Sequence, residues 1–333
     1  MRNESLLFRR RGGRPYGRRR RRILVVWLIL VSLLAFVTAL QAQYVGSPPE
    51  YIKALTAGWK GERFPDGRPK VPDNLLQRLK NITLEDVWGV LRTRGYPNQF
   101  EGDWHVIHPE GGAMTGRVVT AQYMPSRPDL VNLIREEGKA EGRNPQGGTN
   151  SWPIDMLTEG DVYVADGYLK MADGTLIGDN LGNAIYSRSH RGVIFYGSVR
   201  DEAGLSEIEG FNGWVKGVDP SYIQQMMLTS INAPIRVGRA IVLPGDAVLA
   251  NKYGVIFIPA CLLDTVVITA EFTGLRDEFG HQRLREKKYL AGQIDSQWSD
   301  AIKNDFLHWL DEHPDKLPMS RQELDAYMKN RTW

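Results

Sequence analysis

One cysteine in 333 residues is too few for an intramolecular disulfide. Set in the apolar run GVIFIPACLL, Cys261 reads as a small buried hydrophobe rather than a nucleophile. Internal repeats and low-complexity tracts are missing outside an arginine-rich head, which excludes solenoid and array architectures. A basic surplus is missing too once that head is set aside. Residues 1–22 contain ten arginines and one acid, Glu4, so they carry +9 in a chain whose formal total is +3, and the remainder carries −6. A body of that sign offers no surface for nucleic acid.

What is present is the composition of an ordinary globular protein, 42% apolar and 24% charged, long enough for one large domain or two small ones. Arg18 to Arg22 are followed by Ile23 to Leu40, eighteen residues without a charge, and then by small or polar residues. This is the order of an export signal, and Arg20-Arg21 ahead of Ile23 is loosely like a twin-arginine signal. Eighteen residues at about 1.5 Å each also just cross ~30 Å of hydrocarbon, so an uncleaved membrane anchor is the rival reading. In either case the arginines stay on the cytoplasmic side and the folded body faces outward, periplasmic or tethered. The expected organisation is a basic head with signal peptide or anchor over 1–42, an N-terminal arm over 43–82, a main domain over 83–280 and a helical extension over 281–333.

Residues 43–72 are rich in proline, glycine and charge and read as an extended surface arm outside the core. Helices are expected from Asp73 or Asn74, from the capping box Thr83-Leu-Glu-Asp86 to Gly95, over 129–137, briefly over 205–208, and over 260–279. Strands are expected over 115–124, 211–218, 234–243, AVLAN and GVIFIP. Consecutive strands after residue 210 imply a mixed sheet. Asp103, His105 and His108 have ligand-like spacing, but no regular helix brings them to one face, and they read as polar groups satisfied in a loop. The segment 138–157 breaks into glycine, proline and asparagine, as a lid or surface insertion does. Near the C-terminus, Trp298, Ile302, Phe306 and Trp309 recur every three or four residues as a packing stripe, and Ser320 to Glu323 caps a last helix.

The stretch Gly160–Asp201 organises the rest. It reads as strand, hairpin, tight loop, helix and strand, closing on Arg200-Asp201. Asp179 or Asn180 can cap the helix, and the loop Gly178-Asp179-Asn180-Leu181-Gly182 leaves N–H groups facing whatever lies beyond its N-terminus. If the two strands are neighbours, Arg200 and Asp201 reach the same anion seat. On spacing alone, a helix cap and a strand-end ion pair account for the same residues.

With GDVYVADG, GDNLG, the run ending in SVRD, NAPIRVG, PGD and GVIFIP in this order, the chain resembles the RraA-like family over about residues 83–280. That family contains regulators of ribonuclease activity A and 4-hydroxy-4-methyl-2-oxoglutarate aldolases. The resemblance implies an α/β fold, a layered α/β sandwich with mixed sheets like the phosphohistidine swivelling domain, and assembly as a homotrimer or hexamer. It also implies a divalent-metal-dependent lyase of a 2-oxo acid, releasing pyruvate by retro-aldol cleavage or oxaloacetate decarboxylation.

For the aldolase branch the resemblance implies that the amides of Gly178 to Gly182 bind the substrate carboxylate, that Arg200 contacts the keto oxygen, and that Asp201 ligates the metal, Mg²⁺ or alternatively Mn²⁺. Asp179 orients a water that takes the substrate hydroxyl proton. A further acid comes from a neighbouring subunit, with Glu271, Asp277 and Glu278 all open. The alternative function is a non-catalytic regulatory or ligand-binding protein. A methyltransferase label used in the family lacks support here, because no strand is followed by a Gly-x-Gly-x-Gly loop.

Overall fold

The computed structural model describes residues 45–329, and the expected export or anchor segment lies outside them. Three helices come first: α1 (Pro49–Leu55), α2 (Asp73–Leu79) and α3 (Leu84–Thr93). The Thr83 hydroxyl caps α3 by accepting from the Asp86 amide, as the capping-box spacing predicts. Next come β1 (Phe100–Glu101), β2 (His105–Val106), β3 (Met114–Pro125), α4 (Pro128–Ala140), α5 (Trp152–Asp155) and β4 (Asp161–Asp166). Then follow α6 (Asp179–Ser189), β5 (Val193–Val199), α7 (Glu202–Ser206), β6 (Gly213–Val218) and β7 (Met226–Ile231). The remainder is β8 (Ile235–Val237), β9 (Ala240–Val242), β10 (Ala247–Asn251), β11 (Gly254–Ile258), α8 (Leu263–Arg285), α9 (Ala291–Ile294), α10 (Asp300–Glu312) and α11 (Arg321–Lys329).

The strands build a nine-stranded sheet in the order β1-β11-β10-β3-β4-β5-β6-β2, with β7 also paired to β3. Its centre, β3 to β6, is parallel, and both flanks are antiparallel. Side chains alternate between two cores. Val119, Tyr163, Ala165 and Phe195 face one, while Val118, Val162, Val164 and Ile194 face the other. Burial on both faces explains why these strands read as continuous apolar runs. The architecture is therefore the expected α/β layering around a mixed sheet.

Several local expectations are corrected. No hairpin follows β4; residues 167–178 form a loop that runs back along β5 and pairs with it in a parallel bridge from Thr175 to Ser198. The single strand expected over 234–243 folds back at Gly238, whose φ of +57° suits glycine, into the β8–β9 hairpin. β7 lay in a stretch for which no element was expected. The arm is not peripheral, because Val45, Ile52 and Val71 are buried and Arg68 is 1% exposed. The 138–157 segment is divided: residues 144–148 stay on the surface, while Trp152, Ile154 and Leu157 enter the core beside Ile134. Cys261, expected to be buried, is exposed.

The aromatic stripe packs inward, as expected. Trp298, Ile302, Phe306 and Trp309 close over Phe272 and Phe279 of α8. Ser320 accepts from the Glu323 amide ahead of α11. Among the described residues no helix is long and apolar enough to cross a membrane.

Candidate active site

β4 and β5 are parallel neighbours, so the loop after β4 and the residues after β5 emerge at the same edge of the sheet. Two backbone bonds join them: Leu176 N–H donates to Ser198 O and Arg200 N–H to Ile177 O, each at 2.9 Å. This register brings Gly178, the last residue before α6, against Arg200 and Asp201. A Cβ on Gly178 would lie 2.3 Å from Asp201 Oδ2 and 3.0 Å from Arg200 Cζ. A side chain there would push the Asp201 carboxylate and the Arg200 guanidinium out of this arrangement.

Gly178 is also the N-cap of α6, and no side chain caps that helix. This corrects the expected cap: Asp179 is the first helical residue, and its Oδ1 accepts from the Asn180 amide at 2.8 Å. The Asn180 N–H is therefore already engaged. The amides of Gly178, Asp179 and Leu181 keep the geometry of an uncapped helix start, where intrahelical acceptors are lacking. The other side of Asp179 faces α7, since a Cβ on Gly204 would come within 2.9 Å of its Oδ2.

Arg200 Nη1 lies 2.5 Å from Asp201 Oδ2, and both side chains are 37% exposed. Asp201 takes a left-handed backbone (φ +56°, ψ +41°) as the N-cap of α7 without bonding through its side chain to that helix. Such a conformation costs a non-glycine residue on the order of 1 kcal/mol or more. Here it turns the carboxylate back toward Gly178. Gly178, Asp179, Arg200 and Asp201 are thus brought together, with Asn180 and Leu181 on the first turn beside them.

Two features at this edge carry little sequence signal. His105 Nε2 pairs with Glu202, the residue after Asp201. Lys216 Nζ sits 4.2 Å from the Trp104 ring centroid and 5.4 Å from that of Tyr196, and donates to Gly102 O at 2.7 Å. Burial pushes its ammonium below the usual lysine range, while Glu101 and Asp103 oppose that shift. The His105–Glu202 pair joins residues about a hundred positions apart, which periodicity does not reveal. Lys216 was legible only as one residue of a strand.

Asp103, His105 and His108 do not converge, and among the described residues no group of three or more histidine, cysteine or acidic side chains could hold a metal. Of the three open acids on α8, Glu271 is taken up by Arg78 and Glu278 by Lys316 within this chain.

A family model described as RraA-like, Aldolase/RraA, matches residues 83–257. A Vibrio cholerae protein named "Putative 4-hydroxy-4-methyl-2-oxoglutarate aldolase" is 30% identical over 117 residues, 34% of this chain and 71% of that protein. Among solved structures, Streptomyces coelicolor RraAS2, described as an unusual member of the RNase ES inhibitor RraA protein family, aligns with a TM-score of 0.52 at 21% identity. That alignment covers 65% of this chain and 98% of the other. An uncharacterized protein from Pseudomonas syringae aligns with a TM-score of 0.56 at 16% identity, covering 71% of this chain and 99% of the other. At such identities these structures bear on the fold alone.

Proposed function

The chain belongs to the RraA-like family, and from that membership together with the Gly178–Asp201 geometry we propose that it is a lyase of 2-oxo acids that releases pyruvate. The observation that carries the reading is the apposition of an uncapped helix start to an Arg-Asp pair across a glycine whose missing side chain leaves room for that pair. A substrate carboxylate sits on the free amides of the first turn of α6, where the helix dipole favours negative charge. Its keto oxygen then faces Arg200. Both retro-aldol cleavage and decarboxylation leave an electron pair that becomes enolate charge on that oxygen, and a guanidinium fixed beforehand at this point lowers the barrier. Asp179, beside the same turn, holds a water positioned to accept the substrate hydroxyl proton.

Asp201 is the residue that would hold a divalent ion, Mg²⁺ or alternatively Mn²⁺. One half-exposed carboxylate fits Mg²⁺, which keeps several waters and needs few protein ligands. When bound, the ion supplies positive charge beside the developing enolate oxygen. In this reading the protein works as a homotrimer or hexamer, exported to the periplasm or held at the membrane by residues 1–42.

The test measures pyruvate release from oxaloacetate and from a 4-hydroxy-2-oxo acid by the purified protein with Mg²⁺. Asp201→Ala and EDTA are each expected to lower the rate by about 100-fold or more. Pyruvate release that survives both would overturn the mechanism. A wild-type protein that binds 2-oxo acids without turning them over would support the regulatory reading instead.

A further inference from the structure

A cavity lies at the end of the sheet opposite the Arg200–Asp201 edge. Asp246 immediately precedes β10, and the adjoining register Ala247↔Arg117↔Asp161 places it near the start of β4, whereas the Arg200–Asp201 edge follows the end of β5. The cavity measures about 440 Å³ and is lined by Leu55 and Trp59 of the arm, Tyr96, Ile241, Asp246 and Cys261, among others. Leu55, Trp59 and Cys261 fall outside the matched 83–257 region. The pocket lies where the N-terminal arm meets the matched region.

Its chemistry is unbalanced. The walls are mainly aliphatic and aromatic, and no lysine, arginine or histidine lines them. Yet Asp246 is 3% exposed and makes no ion pair among the described residues; its Oδ2 accepts from the Leu243 amide at 2.9 Å. Arg63 lies behind the Thr56 wall, but its guanidinium donates to the Thr56 hydroxyl and to the carbonyls of Thr56, Trp59 and Gly67. A buried carboxylate without a counter-charge is costly, and a cation brought by a ligand removes that cost.

We propose that this cavity binds a small organic monocation, a primary amine on an aromatic or branched aliphatic body, with its ammonium on Asp246 and its body between Trp59, Tyr96 and Ile241. The volume suits a ligand of that size. Burial already pushes the Asp246 carboxyl up to about 7 despite the amides of Leu243 and Ala260, so the group is poised to ionise when a cation arrives. The thiol of Cys261 is the titratable group that feels its charge, and that thiol is itself raised by burial first and by Asp246 after. The phenol of Tyr96 is the other titratable group in the lining.

Because Cys261 is the chain's only cysteine and opens on the cavity, its alkylation reads occupancy without any substitution. The experiment measures the rate of N-ethylmaleimide labelling of the full-length protein at pH 7.5 (about half a unit above the Asp246 midpoint) against rising 2-phenylethylammonium or neutral 2-phenylethanol. The amine is expected to protect saturably at a concentration about 10-fold or more below that of the alcohol, as a charge-assisted hydrogen bond implies. Asp246→Asn should erase the difference between the two. Equal protection by amine and alcohol, or no protection by either, overturns the proposal from the wild-type protein alone. So does an Asp246→Asn protein that keeps the preference for the amine.

Discussion

At the scale of single residues, Gly178 and Asp246 are constrained for opposite reasons. Gly178 has an ordinary extended backbone, so its requirement comes from space: an added methyl would collide with the Asp201 carboxylate at 2.3 Å. Gly178→Ala should therefore displace Asp201 and lower kcat/KM for pyruvate release by about 100-fold, with a melting temperature within a few degrees of wild type, because both partners are half-exposed and free to move. Parallel turnover and thermal-melt measurements check this. A loss of stability as large as the loss of activity would mean that the glycine serves the fold instead.

Asp246 gives a signed pH dependence. Its folded-state value of about 7 lies above the ordinary 3.8, so the folded chain holds this proton more tightly than the unfolded one. Its contribution is complete below about pH 4 and is lost as pH rises toward 7, by on the order of 4 kcal/mol at most. Asp86, raised by burial first, acts in the same sense, whereas Asp305, held at about 2 by Arg283, Lys288 and Tyr289 against burial, matters only in stronger acid. Melting temperatures between pH 4 and 7.5 (about the titration range of the buried carboxyl) should fall more steeply for wild type than for Asp246→Asn.

At the scale of elements, legibility followed the reach of the interactions involved. The strands on either side of α6 and the Thr83 cap were readable because a short β-rich apolar run and a capping residue are local signals. β7 was not, since its pairing with β3 rather than its own pattern makes MMLTSI a strand. The arm was misread for the same reason. Proline and glycine marked 43–72 as surface, but Arg68 crosses to Asp161 at the head of β4, with bonds of 2.8 and 3.1 Å and side chains 1% and 0% exposed. The Arg200–Asp201 seat was legible as a juxtaposition, while the choice of N-cap depended on a close approach between Gly178 and Asp201 that composition does not encode.

The buried Arg68–Asp161 pair gives this element a measurable role. Asp161→Ala strips the buried partner from Nη1 and Nη2 of Arg68 and leaves only Asp66 on its Nε, so it should cost about 3 kcal/mol in chemical denaturation. Adding Arg68→Met should recover part of that loss, because two apolar groups need no partner. A double variant less stable than Asp161→Ala would mean that Arg68 stabilises chiefly through Asp66 and its place over the Phe64 ring.

At the scale of the molecule, the described residues belong to one compact unit, and Arg78 shows how its parts are tied. From α2 it donates to both carboxylate oxygens of Glu271 on α8 and to Glu323 on α11, so one guanidinium joins the arm, the long helix behind the sheet and the C-terminal extension. Glu271 is the deeply placed partner, with a side chain 4% exposed against 36% for Glu323. Removing Arg78 therefore strands a buried charge at Glu271 but frees Glu323 into water at little cost. Arg78→Ala should lose about 3 kcal/mol, several degrees in melting temperature, and Glu323→Ala less than about 1 kcal/mol. If arm, core and extension are one cooperative body, both variants will still melt in a single calorimetric transition. A second, lower transition appearing in Arg78→Ala would show instead that the C-terminal helices, held mainly by Phe272, Phe279 and Phe306, unfold on their own.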